Sequence, residues 1–136
     1  MRLPATPTVV STSQPPAPAG HYSQAVASGG FLFISGQLPV RPDGTVLAGE
    51  PFEAQAAQAL DNLLAILAIL AAAGGAPAQL VRVTAYIVDV AHWPRFNAVY
   101  ATRLGEARPE RSVVPVLELH HGCLVEIDAM ARLAEA

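Results

Sequence analysis

Between Pro51 and Gly74 the chain carries a helix that is apolar over most of its girth, and no other segment constrains the fold as much. Leu60, Leu63, Leu64, Leu67 and Leu70 recur at the spacing of one helix face. Pro51 suits a first turn, where a missing N–H costs nothing, and Gly74 suits the exit. Ile66 and Ile69 fall on a second face, so a single sheet layer does not cover the helix. That face needs another cover, and the expected one is a partner subunit. The apolar run from Leu63 to Ala76 is too short to span a bilayer.

The segments around this helix read as strands. Thr8-Val9-Val10 is a short edge strand in an otherwise proline-rich segment, residues 1–20, which continues as an extended loop from Gln14 to Gly20. Gln24 to Ser28 and Phe31 to Ser35 are apolar runs separated by Gly29-Gly30, a strong hairpin signal. Gly36 to Gly49 reads as a loop, with Pro39, Pro42 and an Asp43-Gly44 turn. Leu80 to Asp89 alternates, with Val81, Val83, Ala85 and Ile87 on one face and Arg82, Thr84 and Tyr86 on the other. A second helix runs from about His92 to Leu104, with Trp93, Phe96, Tyr100 and Leu104 on one stripe. Ser112 to Leu119 and Leu124 to Arg132 are the last strands, joined by a His120-His121-Gly122 turn. The expected architecture is α+β, one domain over residues 1–136, with the helices packed on one face of a sheet. The bare face of the sheet is a second reason to expect an oligomer.

Composition narrows the function classes. A chain of 136 residues is long enough to bury a core without disulfides or metals. It is 52% hydrophobic and only 14% charged, which points to surface buried between subunits. A net charge of −3 offers no basic field for a phosphate backbone, so no nucleic-acid partner is expected. Cys123 is the one cysteine, and it fits a reducing, cytoplasmic setting. Arg2 is followed by prolines and threonines rather than an apolar run, so no signal peptide is expected and the protein reads as soluble.

The usual catalytic constellations are missing. His21, His92, His120 and His121 do not cluster, and adjacent His120 and His121 project to opposite sides if the backbone is extended, which argues against a metal. Cys123 opens an apolar strand, where a thiol is more often buried than reactive. Neither Gly29-Gly30 nor Gly74-Gly75 forms a phosphate loop. What remains is a small polar set near strand ends: Tyr22, Ser35, Asn97, Arg111 and Glu126. Arg111 lies between Pro109 and a β-branched run, where its paired N–H donors form a fork for a small carboxylate. Each member also has a plain structural account. Tyr22 caps the core, Ser35 starts a turn, Asn97 faces water, Arg111 ends a loop and Glu126 lies on a solvated sheet face.

Taken together, several motifs settle on a resemblance. Gly20-His21-Tyr22-Ser23-Gln24-Ala25-Val26, Phe33-Ile34-Ser35-Gly36-Gln37-Leu38-Pro39, Phe96-Asn97-Ala98-Val99-Tyr100, Arg108-Pro109-Glu110-Arg111-Ser112 and Leu124-Val125-Glu126-Ile127 occur in that order. From about Thr8 onward the chain resembles the RidA/YjgF reactive-intermediate deaminases. The resemblance implies a chorismate-mutase-like fold: a mixed six-stranded sheet, two helices on one face, and a homotrimer with sheets facing inward and a cleft at each subunit interface. It implies hydrolysis of enamines and imines, such as 2-aminoacrylate, to 2-oxo acids and ammonia, with no metal or organic cofactor. Arg111 is then the carboxylate anchor. Tyr22, Ser35, Gly36 and Asn97 are substrate-binding, and Glu126 is the group that positions or deprotonates water. A non-catalytic binder of 2-oxo acids is the alternative, and an endoribonuclease a lesser one.

The chain departs from the family pattern in places. His21 stands where a proline is common, and Val113 where many members have a cysteine, which argues against a thiol mechanism. The first helix looks about three residues longer than usual, as though one Ala-Ile-Leu were repeated within Leu63 to Leu70; three residues advance a helix by roughly 300°, so the apolar face widens.

Overall fold

A computed structural model of the chain describes residues 6–13, 15–70 and 76–133. The expected helix exit at Gly74, like the side chains of Ile69 and Leu70, lies outside what is described. Six strands form one mixed sheet in the order β1-β2-β3-β6-β4-β5. They are β1 (Thr8–Val10), β2 (Ala25–Ser28), β3 (Phe31–Gln37), β4 (Leu80–Val88), β5 (Glu110–Val116) and β6 (Val125–Arg132). The helices are α1 (Phe52–Leu70) and α2 (Trp93–Leu104).

The connections explain this order. Gly29 and Gly30, at φ 60° and 84°, supply the left-handed turn that pairs β2 with β3. Helix α2 carries the chain from β4 to β5, which run parallel, and a parallel pair needs such a crossover. Helix α1 carries it from β3 to β4 but leaves a gap between them. Strand β6 fills that gap, antiparallel to both. The last strand is thereby brought against β3, and Glu126 against the Ser35-Gly36 motif.

Both helices cover one face, as expected. Leu32 and Ile34 from β3, Val83, Ala85 and Ile87 from β4, and Val125 and Ile127 from β6 meet Leu60, Leu63, Ile66 and Leu67 of α1 and Phe96 and Leu104 of α2. Burying each such side chain contributes about 1.5–3 kcal/mol. Ile66 is fully buried within its own chain, so the second face of α1 at that position needs no partner subunit. Helix α1 also packs on α2, a contact that carries an Arg103–Asp61 ion pair at 2.9 Å.

Two strand boundaries and two side-chain burials differ from the sequence expectation. Strand β3 runs on to Gln37, so Ser35 and Gly36 lie inside a strand and not at the start of a loop. Strand β5 begins at Glu110 and ends at Val116, because it pairs in parallel register with β4 from Arg82 to Val88. Arg111 is therefore a strand residue. Val81 is 39% exposed, because a register irregularity between Leu80 and Arg82 buries Leu80 in its place. Trp93 is 41% exposed at the head of the expected core stripe, while Phe96, Tyr100 and Leu104 are buried. No described helix is long and apolar enough to cross a membrane.

Candidate active site

Glu126 leaves the sheet on the face opposite the helices. Its chain neighbours Val125 and Ile127 are buried in the core, and its cross-strand partner is Tyr86, from the outward-facing set of β4. Partial burial pushes its carboxyl above the usual glutamate range, Asp128 on the same face adds repulsion, and His120 pulls the other way. Tyr86 donates to Asp128 at 3.1 Å, which occupies one oxygen of that neighbour.

Ser35 and Gly36 reach Glu126 through a bulge. Ile34 pairs with Ala129 and Gln37 with Ile127, so β3 carries one residue more than β6 across this step. A Cβ built on Gly36 would lie 2.6 Å from Glu126 Oε2 and 3.0 Å from its Cδ. Only glycine leaves the carboxylate where it is. The Ser35 hydroxyl donates to the Ser23 carbonyl at 2.6 Å, which fixes its proton and leaves its lone pairs as acceptors.

These residues open onto a cavity of about 910 Å³, whose lining includes Tyr22, Ser35, Gly36, Glu126, His120 and His121. Tyr22 is 53% exposed on the cavity wall and does not cap the core. Buried amides, which carry no signal in a search for catalytic types, hold the surrounding loops. Gln24 accepts from Thr12 N at 2.6 Å and donates to the Pro16 carbonyl at 3.0 Å, tying down the N-terminal segment. Asn62 donates to the Leu38 and Val40 carbonyls at 3.2 and 2.8 Å. Gln55 donates to the carbonyls of Ala48 and Glu50 and accepts from Leu124 N, two residues before Glu126.

The turn ahead of β6 differs from the extended reading. His120–Gly122 forms a single 3-10 turn, and His121 takes a left-handed conformation at φ 60°, ψ 13°. Instead of diverging, the two imidazoles meet with centroids 3.8 Å apart. No cluster of three or more potential metal ligands occurs among the described residues. Cys123 is buried, and burial raises its thiol pKa.

Arg111 and Asn97 form a separate cluster. Arg111 pairs with Val83, a core residue, so it points to the helix face of the sheet. Its Nη1 donates to Asn97 Oδ1 at 2.9 Å. Its Cζ lies 4.8 Å from the Tyr100 ring centroid, 5.4 Å from Trp93 and 5.9 Å from Phe96, an aromatic cradle that favours a cation. The remaining guanidinium donors have no hydrogen-bond partner among the described residues. The Tyr100 hydroxyl beneath them is buried and likewise unpaired among those residues, and burial raises its pKa.

Within one chain, then, Tyr22, Ser35, Gly36 and Glu126 share a cavity, Asn97 and Arg111 share a cradle, and the two groups leave opposite faces of the sheet. Arg111 and Glu126 of the same chain are not brought together. The alternation of strands β4 and β6 carries this separation, but it becomes legible only once β5 is in register with β4.

A cleft edged by a carboxylate, with a separately held guanidinium on the opposite face of a sheet covered by helices on one side, defines a small α+β protein with two distinct polar clusters. The family model described as Endoribonuclease L-PSP matches residues 12–133, and the chain belongs to that family, the RidA/YjgF family. A RutC family protein of Pyrococcus horikoshii is 41% identical over 124 residues, 90% of this chain and 95% of that one. RidA from the Antarctic bacterium Psychrobacter sp. PAMC 21119 superposes with a TM-score of 0.84 at 35% identity, covering 93% of this chain and 99% of that one. E. coli TdcF, solved with bound serine, gives a TM-score of 0.84 at 31% identity, covering 93% and 99%.

Proposed function

We propose that the protein is a cofactor-free deaminase of 2-imino and enamine acids, such as 2-aminoacrylate, working as a homotrimer whose clefts join Arg111 of one subunit to Glu126 of the next. The observation that carries this reading is the division of the polar set. A guanidinium with spare donors and a partly buried carboxylate with a raised pKa lie on opposite sheet faces. Neither half suffices for a 2-imino acid, whose carboxylate sits next to an electrophilic carbon. Two copies side by side supply both.

Arg111, pre-oriented by Asn97 and its aromatic cradle, takes the substrate carboxylate bidentately. The adjacent carbon is thereby fixed near a water beside Glu126. Glu126 accepts the water proton as the C–O bond forms, a role that its raised pKa favours. Ser35 offers an acceptor for the substrate nitrogen, and Tyr22 closes the wall. Uncatalysed imine hydrolysis is already easy, so positioning and proton transfer suffice. The serine bound to E. coli TdcF supports a ligand of amino-acid size and charge.

A lyase that generates 2-aminoacrylate from serine, coupled to detection of the 2-oxo acid, tests the reading. Added protein is expected to speed release, and Arg111→Ala to lose roughly 2–5 kcal/mol of transition-state binding. Equal release with and without the protein, or an unimpaired Arg111→Ala, would contradict it. Binding of 2-oxo acids without turnover would favour the second reading, a metabolite-binding protein that uses the same arginine. The family description as an endoribonuclease finds little support in a chain of net charge −3.

A further inference from the structure

The turn that delivers β6 carries two imidazoles that the reading above leaves unused. His120 and His121 line the same cavity as Glu126, Ser35 and Tyr22. Their backbone is not relaxed. His121 holds a left-handed conformation that favours glycine, at a cost on the order of 1 kcal/mol. The turn is closed by Gly122 N on Leu119 O and Cys123 N on His120 O, both at 3.2 Å, and buried Cys123 anchors it. The result is that the His121 ring packs tilted against the His120 ring, 3.8 Å away at 51°, beside the cavity.

We propose that His120 is a second catalytic group, the acid that protonates the departing nitrogen; this rests on the deaminase reading. Hydrolysis of an iminium takes a proton from water and later gives one to nitrogen, and the cavity holds two groups, Glu126 and His120, between which these movements can be divided. In the first step water adds to the substrate carbon. Its proton goes to Glu126, and the C=N π pair moves to nitrogen, giving a neutral carbinolamine. In the second step the His120 imidazolium gives its proton to that nitrogen, and the C–N bond breaks with its pair on nitrogen. The C=O bond forms from the hydroxyl oxygen, whose proton returns to His120. Ammonia takes the Glu126 proton and leaves as ammonium, so both groups end as they began.

An imidazole ring carries both a donating and an accepting nitrogen, which suits a group that both gives and regains a proton. The ionisable groups that share the cavity lining with His120 are His121 on its own turn, Glu126 on β6, and Tyr22 and Asp43 from the loops. The electrostatic coupling between His120 and Glu126 agrees with their sharing one site.

The test compares the wild type with His120→Ala and His120→Gln in the coupled 2-aminoacrylate assay. Loss of a proton-transfer group is expected to lower kcat about 10²-fold while KM changes little. Added imidazole is expected to restore turnover to His120→Ala, more as its protonated fraction rises, and to leave the wild type unaffected. A structural role for the side chain would not produce that rescue. Unchanged kcat in His120→Ala, or a lowered kcat that imidazole does not raise, overturns the role of His120 alone. A wild type that releases no 2-oxo acid overturns the deaminase reading and this role with it.

Discussion

At the scale of single residues, the contact between Gly36 and Glu126 concentrates the account. Gly36→Ala places a methyl 2.6 Å from a carboxylate oxygen, and the carboxylate is the part free to move. Turnover is expected to fall about 10²-fold, since a displacement near 1 Å has that effect on positioned groups. Thermal unfolding should change little; a variant that unfolds early but turns over normally would place the glycine's role in the fold instead. The motif Ser35-Gly36 was legible in the sequence, but its reason was not, because the bulge that aims it at β6 appears only when the two strands are paired. Arg111 was read both as a loop arginine and as an anchor. The structure sets it in β5 and not in a loop, with its guanidinium on Asn97. Glu126 makes a prediction with a sign. Its folded-state pKa is raised, so it adds stability below its unfolded value and loses that contribution as pH rises through the folded one. At neutral pH the ionised form therefore works against the fold. Glu126→Gln should abolish turnover yet melt no lower than the wild type at pH 7, and the difference in Tm should shrink on acidification. A lower Tm at pH 7 would contradict this. Wild-type turnover should rise with pH through an apparent value above the ordinary glutamate range.

At the scale of elements, the order of strands and helices followed from periodicity, while their edges did not. Period alone cannot see that β5 takes its limits from β4, nor that an irregularity beside Leu80 turns Val81 outward. The wide apolar girth of α1 points to a partner subunit as its second cover, but at Ile66 the chain's own core supplies it, through tertiary contacts that no local pattern encodes. The elements that carry the cavity are held by buried amides, and Gln55 is the clearest case. It joins the loop before α1 to the residue leading into β6 through three hydrogen bonds. Gln55→Ala leaves those backbone groups unpaired where the side chain is fully buried, at a cost of roughly 3 kcal/mol. Urea unfolding measures this, and a loss below about 1 kcal/mol would show the loop to be held by other means.

At the scale of the whole molecule, the central claim is that one chain holds two halves of a site and that neither half works alone. The helices occupy one face of the sheet, and the alternation of β4, β5 and β6 sends Arg111 to that face and Glu126 to the other. Subunit mixing tests this directly. Arg111→Ala and Glu126→Gln should each be inactive as pure assemblies. Unfolded and refolded together in equal amounts, they form clefts that draw the arginine from one subunit and the glutamate from another. About a quarter of such clefts carry both wild-type residues, so about a quarter of wild-type turnover should return. Recovery near that level is the predicted result; a mixture as inactive as its components, with mixed assemblies confirmed by native mass measurement, would contradict the account.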